Sequence, residues 1–310
     1  MTLFFIEQSK EKNKFKIKIN NILNKIEEKK DENKVFLGLP IKIVGAHDCA
    51  PKDIKQIKPK KIKKILKGIH KYNVKTAILS ENLYNIEVLK NELYARNINI
   101  LDGKYLFKLL TEEIINYICK KSNTNPEKIE VSVLTNDASK KNKEIILELA
   151  NNVKTLNIIT NHINDFKNLE DYLYNEKGII IKLSNNYKTA LSKTNIIINM
   201  DFPEEIINKY TIPNKCVIVN MNNEIKIKSK KFNGININNY NIIIPEKYKI
   251  KGYNNKHIYE GYLLNKDYKQ ARKQILEDKI RIRNLIGEKG VINDREFDAI
   301  GDRLILHHSG

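Results

Sequence analysis

A chain of 310 residues and 36.2 kDa, 41% of them hydrophobic, is long enough for two domains with cores of their own. Its formal charge of +19 comes from fifty lysines and only six arginines, accompanied by 42 asparagines, and no apolar run approaches the roughly 18 residues that cross a bilayer. A membrane span is thereby excluded, and the charge reads as a solvated lysine surface that attracts small anions. A dedicated nucleic-acid reader draws instead on the planar fork of arginine.

The opening MTLFFIEQSKEKNK has too short an apolar run for a signal peptide. FKIKINNILNKIEEKK, within the first 35 residues, fits either a strand running into a helix or one basic helix. LPIKIVGAHD (39–48) predicts a strand, and PKKIKKILKGIHKY (59–72) a helix with Ile62, Ile65, Leu66 and Ile69 on one face. Strand 74–82, helix 86–96, strand 98–103 and an apolar helix over 105–121 follow. SNTNPEK (122–128) reads as a polar, proline-bearing linker. The alternation then restarts with strand 129–137, helix 138–152, strand 153–161, helix 165–178, strand 179–184, a short helix over 186–194 and strands 195–201 and 216–222. GININNYNIII (234–244) is Asn/Ile-biased strand or loop. Residues 255–287 predict one or two helices, with Ile258, Tyr262, Ala271 and Ile275 inward and Lys269, Arg272 and Lys273 outward.

Strand alternating with helix at this pace means parallel strands joined by crossover helices, and near-continuous Val/Ile/Leu runs mean strands covered on both faces. The expected fold is therefore α/β: two parallel-sheet units, the second Rossmann-like, with a C-terminal helix packing back. The expected domains are 1–125, 126–250 and a helical segment 251–310. Ligands in such sheets bind beyond the carboxyl ends of the strands, where helix amino termini favour anions. Those ends carry His47 and Asp48, Ser80 and Glu81, Asp102 and Lys104 in the first unit. In the second they carry Asn136 and Asp137, Thr160 and Asn161, Ser184 and Asn185, then Asn199 and Asp201.

The stretch YKTALSKT followed by NIIINMDFP, with CVIVNMN after it, resembles the dinucleotide-binding domain of two-domain dehydrogenases of the shikimate and amino-acid dehydrogenase kind. The resemblance covers about residues 126–222. It implies NAD or NADP as cofactor, with Asn199, Met200 and Asp201 beside the nicotinamide ribose, and a substrate held between the domains. The loop TNDASKKNKE (135–144) carries no glycine, where the fingerprint wants G-x-G-x-x-G. Ala138, Ser139 and Lys140 restore Cβ atoms at the pyrophosphate approach, which predicts that either dinucleotide binds weakly. Ser139 and the helix amides remain available to an anion, and Asn161 stands where an acid for the ribose is expected.

For proton transfer the candidates are His47 with Asp48, and Lys104 with Asp102. For each pair a turn with a capping carboxylate is the simpler reading. Cys49, Cys119 and Cys216 are far apart and in no metal spacing, which predicts a reducing cytoplasm. His307 and His308 are adjacent near the end, and adjacent histidines do not share a helix face. Three functions fit: an NAD(P)-dependent oxidoreductase acting on a small anionic metabolite, a non-catalytic relative that senses a small ligand or binds a partner, and a nucleic-acid binder using Arg272, Arg281 and Arg283.

Overall fold

The computed structural model describes residues 75–304, three earlier strands, and positions Ile62 and Leu66, with side chains described at 62, 66 and 75–300. Asp48, most of the 59–72 helix and the terminal histidine pair lie outside the described residues. So do residues 1–2 and 10–34.

The chain divides into two compact units, one of residues 1–106 with 244–274 and the other of 107–243 with 275–310. The sequence expectation put 107–125 with the first unit and 251–310 in a segment of its own. A chain that leaves a unit and later returns to it has no local signature, because the return depends on contacts made more than 130 residues downstream, as at Glu260 and Gly103, 157 residues apart.

In the first unit, β1 (Leu3–Ser9), β2 (Val35–Phe36), β3 (Leu39–His47), β4 (Thr76–Leu79) and β5 (Asn99–Ile100) form a sheet of order β2-β3-β1-β4-β5. All neighbours are parallel except β2 with β3. Between β4 and β5 come α1 (Glu81–Tyr84) and α2 (Glu87–Tyr94), and α3 (Lys104–Leu109) follows β5. Ile62, Leu66, Ala77, Leu79, Leu89 and Leu93 form the core beside this sheet; Ile65 and Ile69, expected on one helical face with Ile62 and Leu66, lie outside the described residues.

The second unit opens with α4 (Thr111–Lys121), split from α3 at Leu110 where a single helix was expected. Its strands are β6 (Glu130–Leu134), β7 (Thr155–Ile159), β8 (Ile181–Ser184), β9 (Ile196–Asn199), β10 (Val217–Asn220) and β11 (Ile235–Ile243). The principal helices are α5 (Lys140–Ala150) after β6 and α6 (Ile163–Lys177) after β7, with the single turn α7 (Glu204–Ile207) after β9. Helix α6 ends in a left-handed cap: Gly178 has φ 66° and its N–H donates to the Tyr174 carbonyl at 3.1 Å. The sheet order β8-β7-β6-β9-β10-β11, all parallel, is third, second, first, fourth, fifth, sixth within the unit. That is the doubly wound, Rossmann-type order, whose switch point lies between β6 and β9.

Two segments differ from the sequence expectation. Residues 186–194 form turns instead of a helix: the Asn186 side chain caps Lys188 and Thr189 N–H and Ala190 N–H reaches the Asn186 carbonyl at 3.0 Å, but Ser192 and Thr194 N–H then donate only three residues back, to Thr189 and Leu191. In the expected helical stretch 255–287, α8 (Asn255–Leu263) and α9 (Tyr268–Glu277) form, but Lys279 turns left-handed at φ 52°. The chain then enters β12 (Arg281–Gly287), antiparallel to β11, and β13 (Gly290–Val291), before α10 (Asp294–Leu304). Helix α8 packs back on β4 of the first unit, and Glu81 N–H donates to the Gly252 carbonyl at 2.9 Å. Arg272 is buried rather than outward, and Arg281 and Arg283 sit on a strand, so the three do not share a helical face.

Candidate functional site

In the first unit, ionisable groups gather beyond β4 and β5. Asp102 accepts from Lys104 N–H at 3.0 Å and pairs with its ammonium at 3.1 Å. Glu260, on the returning α8, is 2% exposed and accepts from Gly103, Tyr105 and Leu106 N–H at 2.9, 2.7 and 3.2 Å. It thus satisfies the first turn of α3, whose amides have no partner within the helix. Burial pushes the Glu260 carboxyl up to about 7 against the pull of those amides.

One turn earlier on α8 stand Lys256 and His257, 8% and 3% exposed. Burial lowers the Lys256 ammonium to about 8, with Asp102 and Glu260 opposing. Burial, aided by Lys256, lowers His257 to about 4, while Asp102 opposes through its charge and its backbone carbonyl. The His257 ring lies 4.7 Å from that of Tyr84, whose hydroxyl is raised by burial and then by Asp102. Among the described residues, the buried Ser80 Oγ and His257 Nδ1 have no hydrogen-bond partner. Native folds rarely leave such atoms unsatisfied.

The structure therefore brings Asp102 and Lys104 together, and places His47 at the carboxyl end of β3, in register with Ser9 of β1. Lys256, His257 and Glu260 were missed by sequence reasoning. Their signal was the i, i+4 pair Lys256 and Glu260 among the buried Ile258, Tyr259 and Leu263.

In the second unit the predicted residues meet at the switch point. The Asp201 carboxylate accepts from Thr135 Oγ1 at 2.6 Å, from Asn136 N–H at 2.9 Å and from Asp137 N–H at 3.0 Å. Asp137 in turn accepts from Ser139 N–H at 2.9 Å, Ser139 Oγ at 3.0 Å and the Asn142 amide at 3.0 Å, which closes the start of α5. Asn136 Oδ1 receives Asn161 N–H at 2.8 Å and ties the loop to the end of β7. Lys108 lies within the field of Asp201 and Asp137, which oppose the lowering of its ammonium by burial.

Asn199 and Met200 are buried, at 3% and 0% exposure. The Asn199 side chain accepts from Phe202 N–H at 2.9 Å and donates to the Phe202 carbonyl and to Asn220 Oδ1. Asn220 continues the network by donating to Asn236 and Asn238, both at 2.8 Å. These asparagines hold the carboxyl ends of β9, β10 and β11 together. Among the described residues no cluster of three His, Cys, Asp or Glu is placed to hold a metal, and no helix is long and apolar enough to cross a membrane.

Strand order and switch point define the second unit as Rossmann-like, within a two-unit α/β chain. No protein-family model matches the chain, and no curated protein resembles it in sequence. Solved structures that the chain matches include quinate dehydrogenase from Corynebacterium glutamicum in complex with NAD, at 10% identity over 89% of this chain and 99% of that one, TM-score 0.34. Shikimate dehydrogenase from Aquifex aeolicus matches at 12% identity over 88% and 97%, TM-score 0.33. Ornithine carbamoyltransferase from Pyrococcus furiosus matches at 13% identity over 64% of this chain but only 58% of its own length, TM-score 0.25.

Proposed function

We propose that this dehydrogenase-like protein binds a small anionic ligand in its first unit, beyond the carboxyl ends of β4 and β5. The observation that carries this reading is a buried ammonium, Lys256, beside His257, whose buried Nδ1 has no hydrogen-bond partner. Glu260 is committed to three amides and Asp102 to Lys104, so neither carboxylate is a dedicated partner for a guest cation. The Lys256 ammonium, at about 8, also suits proton transfer near neutral pH, with Asp102 to modulate it. That favours, as a second reading, an activity in which Lys256 moves a proton on the bound ligand without a dinucleotide. The buried free thiols of Cys119 and Cys216 support a reducing compartment such as the cytoplasm.

Thermal denaturation in the presence of inorganic phosphate, malonate or benzoate tests the binding site. A ligand at a hundred times its Kd stabilises by about 2.7 kcal/mol. The expected result is stabilisation by at least one carboxylate in the wild type and none in Lys256→Met, with unchanged circular dichroism. Equal stabilisation of both proteins places the anion elsewhere and sinks the assignment.

A further inference from the structure

We infer that the Asp201 carboxylate takes the place of a cofactor's pyrophosphate at the switch point, closing the second unit to NAD and NADP from within. A dinucleotide-type loop offers its amides and the following helix amino terminus to phosphate oxygens. Here Asn136 and Asp137 N–H both point at Asp201, and the buried Thr135 hydroxyl adds a third donor at 2.6 Å. Ser139 N–H, at the entry to α5, is spent on Asp137. The donors a phosphate needs are thus already on carboxylates of the chain itself.

Charge and shape act in the same direction. Two carboxylates, Asp137 and Asp201, stand at the loop donors themselves and act on the Lys108 ammonium, so an incoming pyrophosphate meets like charge where it needs hydrogen-bond donors. Lys140 and Lys141 on α5 are exposed and attract anions at long range, while Lys143 lies 5.9 Å over the Phe166 ring. The side chains of Ala138, Ser139 and Lys140 fill the positions where a close backbone approach demands glycine. At the end of β7, Asn161 supplies no carboxylate for a ribose, and its N–H is turned to Asn136. The residues present do not fit a dinucleotide. Asp201, expected beside a nicotinamide ribose, is instead the anion that holds the loop shut.

This inference is independent of the first-unit site, because it concerns other residues and another probe. Calorimetric titration of the full chain with NAD, NADP and inorganic pyrophosphate is the test, on the wild type and on Asp201→Ala. The wild type is expected to bind all three no tighter than the millimolar range. Asp201→Ala, with the loop donors released, is expected to bind pyrophosphate at least tenfold tighter. A micromolar Kd for either dinucleotide in the wild type overturns the inference, and so does a folded Asp201→Ala with unchanged pyrophosphate affinity. Should the alanine variant fail to fold, amide resonances of Asn136 and Asp137 in the wild type decide the matter. They are expected to stay fixed as pyrophosphate is added, and saturable movement refutes the closure.

Discussion

Glu260→Ala is expected to destabilise the first unit by about 3–5 kcal/mol, the cost of stripping a buried charged acceptor from its partners. One carboxylate serves Gly103, Tyr105 and Leu106 N–H, and no water-facing surface is at hand, since Glu260 is 2% exposed. Alanine leaves three donors of the α3 first turn without an acceptor. Glu260→Gln retains one acceptor oxygen but sets an NH2 group against the amides, so it recovers only part of the loss. The pH dependence separates this from a simple packing defect. With its carboxyl raised from 4.5 to about 7, Glu260 contributes stability that is present below pH 4.5 and is lost as pH rises through 7. Glutamine does not titrate. Urea unfolding of wild type and Glu260→Gln is therefore expected to show the wild type losing about 3 kcal/mol relative to the variant between pH 4.5 and 8. Taking the difference cancels His257, whose contribution runs the other way and is lost as pH falls from 6.5 through about 4. A pH-independent difference would mean that Glu260 stays ionised throughout.

The second unit was legible because its grammar is local. β6, α5, β7, α6, β9 and β10 each announce themselves as a buried Val/Ile run or an amphipathic face, and the alternation dictates a parallel sheet. Strand ends in such a sheet must face the ligand edge, so Asn136, Asp137, Asn199 and Asp201 were found at one switch point. What these side chains do there was not legible. Asp201 reaches Thr135 across 66 residues, through a β6–β9 pairing that no local pattern encodes. In the same way, α8 hides its charges. Lys, His and Glu are expected on surfaces, and only the return of 244–274 to the first sheet reveals why Lys256 and Glu260 are inside. Strand β12 was missed because Lys279, not glycine, makes the left-handed turn that stops α9.

Gly234→Ala is expected to cost about 3 kcal/mol or more and to loosen the β10–β11 pair, although the residue's own conformation does not require glycine. The reason is a close approach. A Cβ at this position would sit 2.0 Å from the Cys216 carbonyl oxygen and 2.7 Å from the Phe232 ring. The ring edge has some room to swing, but the carbonyl has none to spare. It accepts Ile235 N–H at 3.2 Å, next to the Val217–Ile235 register pair that starts the β10–β11 ladder. Relief of the clash therefore requires separating two parallel strands, and with them the Asn220 bonds to Asn236 and Asn238. Gly178→Ala provides the contrast. Gly178 has φ 66° but nothing within 4 Å of a Cβ, so alanine there meets only the left-handed penalty of about 1 kcal/mol. Urea midpoints of the two variants, compared with the wild type, rank steric approach against backbone conformation. Near-equal losses would show that β10 and β11 move apart at little cost, and that the asparagine network beyond them does not hold the ligand edge of the sheet.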